Sequence, residues 1–111
     1  PSSAASDVYK RQTFAFLPGP DGCYDVIEDG QWRSDTPYAV LHRVASDGAV
    51  HGIAAAMFAF AKERADHLRI DTHQDNLPMQ GAIIKAGFER AGIVYVSDGT
   101  ARVAFDWLRE A

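Results

Sequence analysis

The chain has a single cysteine, Cys23. One thiol cannot form an internal disulfide, so a reducing, cytosolic compartment is the expectation. Long apolar runs are missing too: none approaches the roughly 20 residues that span a bilayer, which argues against a membrane partner. Positive charge is scarce. Lys and Arg number 11 against 15 Asp and Glu, leaving a formal net charge of −4. Such a chain cannot neutralise a row of phosphates, which excludes a strong electrostatic nucleic-acid binder. The strict phosphate signatures, a Walker A loop and a G-x-G-x-x-G fingerprint, are also absent. The four histidines, His42, His51, His67 and His73, show no pair at ligand spacing on one helix and have no cysteine beside them, so no metal is expected.

What is present reads as globular. Hydrophobic residues make up 47% of 111 residues and charged residues 23%, enough for one core and too little for two. Pro1–Gln12 (PSSAASDVYKRQ) has no initiator methionine, no amphipathic period and no signal-peptide pattern. It resembles a translated adaptor scar, and residues 1–12 are expected to be a non-native or disordered leader before a domain over 13–111. On that reading the gene product continues further towards the N-terminus.

Thr13–Leu17 reads as a strand stopped by Pro18-Gly19-Pro20-Asp21-Gly22, and Cys23–Ile27 as a short extended piece. Glu28–Pro37 is polar, with Trp32 a lone aromatic in a loop. Tyr38–Ala45 is nearly continuously apolar and reads as a buried strand. After Ser46-Asp47-Gly48, residues Ile53–Arg64 show helical spacing, with Ile53, Met57 and Phe60 on one face and Ala54, Phe58 and Ala61 beside it. His67–Thr72 is a strand. A second helix begins at Pro78 and ends at Gly87, a left-handed cap, with Lys85 near its negative end. Arg90–Val96 and Ala101–Leu108 form a hairpin around Ser97–Thr100. A strand–helix–strand crossover implies a parallel pair and the hairpin adds antiparallel strands, so an α/β (α+β) domain with a mixed sheet is expected.

The junction before the first helix, Ser46 through Ala54, places small residues at Gly48, Gly52 and Ala54. A ligand can approach the backbone there, and helix-start amides with the helix dipole make an anion site suited to a pyrophosphate. A simple turn and cap has the same sequence. The second stretch, Ile70-Asp71-Thr72-His73-Gln74-Asp75-Asn76-Leu77-Pro78-Met79-Gln80, is followed by Lys85-Ala86-Gly87-Phe88 and Gly92-Ile93-Val94-Tyr95-Val96. In this order and spacing the chain resembles the GCN5-related N-acetyltransferase (GNAT) family, in particular a bacterial branch with a D-T-H-x-D-N-x-x-M-Q segment. The resemblance covers Thr13 to Leu108.

It implies a mostly antiparallel sheet with a central parallel pair, splayed between Tyr38–Ala45 and His67–Thr72. The acyl donor acetyl-CoA would lie in the splay. Its pantetheine arm would pair with backbone near His42 and Val44, its pyrophosphate would sit on the amides of Ala49, Val50, His51, Gly52, Ile53 and Ala54, and Asn76 would reach the arm. The acceptor would be a small-molecule or peptide amine, attacked in a ternary complex without a covalent enzyme intermediate. Pairing into a homodimer through the C-terminal strands is common in the family. Three departures stand out: Ala49 replaces a polar residue at the phosphate loop, Ile83 stands where a tyrosine acid is usual, and the first strand and helices of the acceptor wall are missing. Residues 13–111 therefore read as the C-terminal, cofactor-binding portion of an acetyltransferase domain, N-terminally truncated. A non-catalytic CoA-binding or protein-interaction module and an inactive gene fragment are the rival readings.

Among individual residues, His73 is the candidate base, flanked by Asp71 and Asp75, with a turn-bonding loop histidine as the alternative. His42 reads as a strand residue whose backbone matters more than its ring, and His51 as a phosphate neighbour or a solvent-facing residue. Tyr24, Trp32 and Tyr38 could line an acceptor pocket or cap the core edge. Asp71 reads as a structural hydrogen-bonding residue, and Phe88, Ile93 and Tyr95 as packing the hairpin against the helices. Cys23 is no nucleophile, since no strand-to-helix elbow presents it.

Overall fold

A computed structural model describes residues 14–43 and 51–110. Five strands form one sheet: β1 (Phe14–Pro18), β2 (Ala39–Arg43), β3 (His67–His73), β4 (Glu89–Tyr95) and β5 (Ala101–Leu108), in the order β1-β2-β3-β5-β4. The β2–β3 pair is parallel and the other three pairings are antiparallel. Two helices, α1 (His51–Lys62) and α2 (Leu77–Lys85), join β2 to β3 and β3 to β4. The mixed α+β sheet is as expected from the sequence, with strand and helix ends moved by no more than two residues. Neither described helix is long and apolar enough to cross a membrane.

The helices cover one face. Ala39 and Leu41 of β2, Leu68 and Ile70 of β3, and Val103 and Phe105 of β5 pack there against Ala54, Phe58 and Ala61 of α1 and Met79 and Ile83 of α2. The buried stripe of α1 is therefore Ala54, Phe58 and Ala61, not the Met57–Phe60 face. Small residues on either side of Phe58 let the helix sit close to the strands, and Phe58 meets Phe88 at 5.2 Å between ring centroids. Phe60 is left partly exposed, edge-on to Phe16 and with the Arg64 guanidinium over its ring.

Helix α2 is delimited by its own sequence. Asn76 Oδ1 accepts from the Met79 N–H, and Pro78 occupies the first turn, where no donor is needed. At the other end Gly87 takes φ +97, so that its N–H reaches Ile84 O at 2.9 Å and the Phe88 N–H reaches Ile83 O at 3.3 Å. This pair of bonds closes a Schellman motif, and Phe88 packs into the same core as Ile83.

The second face is covered by chain rather than by helices. Residues 19–38, between β1 and β2, leave β1, run over the sheet to the far edge and return. Cys23–Ile27 is not extended: Asp21 Oδ1 accepts from the Cys23 N–H and initiates a 3-10 turn over Gly22–Tyr24. At the far edge Glu28 exchanges two backbone bonds with Ile93 of β4, at 2.7 and 2.8 Å. That contact occupies part of an edge strand that would otherwise offer itself for pairing. Below the strap lie Val40, Val94 and Ala104, with Tyr24 buried on top of them. Tyr95 does not pack against the helices. It is exposed, and its hydroxyl donates to Glu28 Oε1 at 3.0 Å.

Gly92 makes the Glu28 contact possible, because a Cβ there would stand 2.4 Å from Glu28 O. Gly92→Ala is expected to cost about 1–3 kcal/mol, the usual range for overpacking. Urea unfolding measures it, and an unchanged midpoint would show that the strap does not hold this edge.

Candidate functional site

The sheet divides in its middle. Strands β2 and β3 pair over Ala39↔Leu68, Val40↔Arg69 and Leu41↔Ile70, and then stop. Beyond that point β2 stays with β1 as far as Phe14↔Arg43, while β3 stays with β5 as far as His73↔Arg102. Among the described residues, no strand pairs with the inner edges of 42–43 and 71–73, which face a wedge. Connectivity brings the N-termini of both helices to this same end, since α1 follows the top of β2 and α2 follows the top of β3. Unpaired strand edges and helix-start amides, both sources of free N–H groups, converge at one place.

Side chains of the strap meet both lips of the wedge. Tyr24 Oη donates to Asp71 Oδ2 at 2.6 Å, on the β3 lip. Asp21 Oδ2 lies 3.3 Å from His42 Nε2, on the β2 lip. Asp21 and Tyr24 belong to one turn, so that turn bridges the gap where ladder bonds end. Asp71 is buried and has a second neighbour, Arg102 Nε at 3.3 Å from Oδ1, a Coulombic contact without hydrogen-bond alignment. Burial, then the Asp71 charge and hydrogen bond, push the Tyr24 hydroxyl well above the usual value of 10. Burial and then Asp21 raise the Cys23 thiol as well. Both stay protonated near neutrality.

Outward from the wedge the same face carries a polar row, His67, Arg69 and Asp71, alternating with Leu68, Ile70 and Thr72 of β3. The Arg69 guanidinium lies between two rings, 4.1 Å from the Trp32 centroid and 3.9 Å from that of Tyr38, and donates to Ser34 O at 2.9 Å. Trp32 Nε1 donates to Tyr24 O. Arg33 binds the buried Asp106 through its backbone N–H and its Nε, at 3.0 and 2.6 Å. These contacts tie the strap to β3 and β5. Tyr24, Trp32 and Tyr38 cap the core edge, with the Tyr38 hydroxyl accepting from the Asp21 N–H at 2.8 Å.

Of the residues singled out from sequence, His42 lies at the crotch of the wedge and Asn76 caps α2 across from it. His51, Gly52, Ile53 and Ala54 open α1, Ala54 being buried against the core. Val44, Ala49 and Val50 lie outside the described residues. His73 ends β3 with its Nδ1 accepting from the Asp75 N–H at 3.1 Å, the bond of a turn histidine. Asp71 does not orient it, being held by Tyr24 and Arg102. Ile83 is fully buried beneath α2. Sequence reasoning missed the Asp21–His42 and Tyr24–Asp71 contacts. The polar alternation of 67, 69 and 71 was the available signal that a second layer covers this face.

Two tests follow. Tyr24→Phe removes a bond to a buried carboxylate and is expected to lower stability by about 1.5–3 kcal/mol. An unchanged melting midpoint would mean the turn is not held by Asp71. The second concerns His67, whose Nδ1 donates to Thr36 O at 3.1 Å while its Nε2 faces Arg69 Nε at 3.4 Å. Burial first, and then Arg69, lower it from the ordinary 6.5. The unfolded chain then binds the extra proton, so this contribution is complete above about pH 6.5 and is lost as pH falls below it. The midpoint should drop between about pH 7.5 and 5.5, and less steeply in His67→Asn. Equal slopes in the two proteins would contradict this.

No protein-family model and no curated protein matches the chain. Among solved structures it is similar to an acetyltransferase of the GNAT family from Streptococcus agalactiae, with a TM-score of 0.75 and 28% sequence identity. The match covers 88% of this chain and 58% of that one, so the chain spans little more than half of its neighbour's length. The order of strands and helices, the single parallel pair and this likeness lead to one assignment: the chain has the fold of GNAT-family acetyltransferases.

Proposed function

We propose that this domain moves an acetyl group from acetyl-CoA to a primary amine. The observation that carries the reading is the wedge, where β2 and β3 separate after Leu41↔Ile70 while each keeps its outer partner. An extended ligand carrying amide groups, such as a pantetheine arm, can complete the inner edges of 42–43 and 71–73 as an added strand would. Its diphosphate would then lie at the start of α1, on the amides of Ala49 through Ala54, with the helix dipole favouring negative charge. Asn76 stands on the β3 side of the same opening, within α2's first turn. His42 and Val44 would offer backbone groups to the arm.

Transfer in this setting is direct. The amine nitrogen attacks the thioester carbonyl, and backbone N–H groups in the wedge stabilise the oxyanion. Cys23 is held as the thiol by burial and by Asp21, which disfavours an acyl-enzyme route. Ile83, apolar and fully buried, has no proton to give, so the departing thiolate takes its proton elsewhere. The same residue favours a second reading, a CoA-binding module without turnover.

Thermal melts with and without acetyl-CoA, followed by transfer assays on a panel of amines, test the reading. At a hundred times its dissociation constant the ligand adds about 2.7 kcal/mol of stability. The midpoint should rise by roughly ten degrees for a domain of this size. A cooperative melt with no shift would contradict the acyl-CoA assignment. A shift without transfer to any amine would favour the binding module.

A further inference from the structure

We propose that His42 is the base that takes the proton from the acceptor amine, held for that task by Asp21. This rests on the acetyl-transfer reading and goes beyond it by naming the residue and the atom. His42 is the first residue of β2 past the last parallel pair, so it stands where the wedge opens. Its ring is on the face away from the helices, like its neighbour Val40 two residues earlier, and is about one third exposed (36%). Asp21 Oδ2 accepts from Nε2–H at 3.3 Å. That leaves Nδ1 without a proton, and no described residue donates to it. A carboxylate on one nitrogen of a part-exposed imidazole, with no described residue donating to the other, is the arrangement general-base catalysis requires.

Asp21 is itself fixed. Its Oδ1 accepts from the Cys23 N–H, its own N–H donates to Tyr38 Oη, and the turn it opens is anchored on the other lip by Tyr24 and Asp71. The wedge therefore has its base on the β2 lip and a buried, already partnered carboxylate on the β3 lip. His73, by contrast, spends its Nδ1 lone pair on Asp75. Among the described residues, the charged group on the His42 ring is Asp21, whose turn also carries Cys23 and Tyr24, Tyr24 being bonded to Asp71 of β3 and Asp71 lying beside Arg102 of β5. Directly across from His42 on β1 is Ala15, which carries no charge.

The step balances as follows. An acceptor ammonium gives one proton to His42 Nδ1 and becomes the free amine. The amine nitrogen bonds to the thioester carbon, and the carbon–sulfur bond breaks. The second proton, on nitrogen in the tetrahedral adduct, goes to the departing thiolate, and the imidazolium releases its proton to solvent.

The experiment compares wild type with His42→Gln, Asp21→Asn and the double variant in two measurements: acetyl-CoA binding by calorimetry and the pH dependence of kcat/KM with a primary amine. Asp21→Asn keeps the Oδ1 acceptor that caps the turn and replaces the Oδ2 acceptor facing Nε2–H with an amide donor, removing both the charge and that bond. His42→Gln keeps the backbone groups proposed to meet the pantetheine arm and should lose on the order of 10²-fold in kcat/KM at neutral pH, with recovery as the amine deprotonates itself at high pH. Asp21→Asn should also lower kcat/KM at neutral pH, and the double variant should be no slower than His42→Gln, because Asp21 acts through the imidazole. If His42→Gln binds acetyl-CoA and keeps both rate and acid limb, the proposal falls while acetyl transfer stands. Losses that multiply in the double variant also overturn it. No acetyl-CoA binding by wild type removes the underlying reading and the proposal with it.

Discussion

The hydrogen bond from Tyr24 to Asp71 is the contact on which this structure turns. A sheet that splits between two parallel strands gives up ladder bonds along both inner edges, and something else must fix the two halves. Here a single 3-10 turn does so, with Asp21 reaching β2 and Tyr24 reaching β3. Burying the Asp71 carboxylate is costly unless it is partnered. The Tyr24 hydroxyl at 2.6 Å and the Arg102 guanidinium supply those partners. One turn thereby bridges both lips of the opening.

Everything in the strap serves to deliver that turn. Connections as long as residues 19–38 are uncommon in compact domains and are ordered only when side chains pin them. Arg69 between Trp32 and Tyr38, Arg33 on Asp106, and Glu28 on Ile93 pin this one at three separate strands. The sheet's two faces consequently differ in kind. The helix face is an apolar core that sets the fold, while the strap face is a polar row under aromatic rings that shapes the wedge.

The fold was largely legible in the sequence because its signals are local. The Ser97–Thr100 turn marked the terminal hairpin, Pro78 and Gly87 bracketed α2, and the crossover rule gave the parallel pair. The strap was not legible. Residues 28–37 read as a polar loop because their partners are remote: Arg33 meets Asp106 across 73 positions, and Tyr24 meets Asp71 across 47. No periodicity reports such contacts. The same holds at the site, where His42 looked like a backbone contributor until Asp21, 21 positions earlier, was found on its ring. On the face of α1, Phe60 was read as core because helical spacing alone cannot distinguish two adjacent apolar stripes. Packing against Leu41 and Ile70 selected the one centred on Phe58.

The account thus comes down to one claim: the gap between β2 and β3 is where the acyl donor lies. Amide chemical-shift mapping by NMR during an acetyl-CoA titration tests it most directly. The account predicts the largest, saturable shifts at His42 and Arg43, at Asp71 through His73 and at the first residues of α1, with the strap residues Asp21 to Tyr24 following. Shifts confined to the groove between Ala59 and Ala86 on the outer side of the helices, or none at saturating acetyl-CoA, would contradict it.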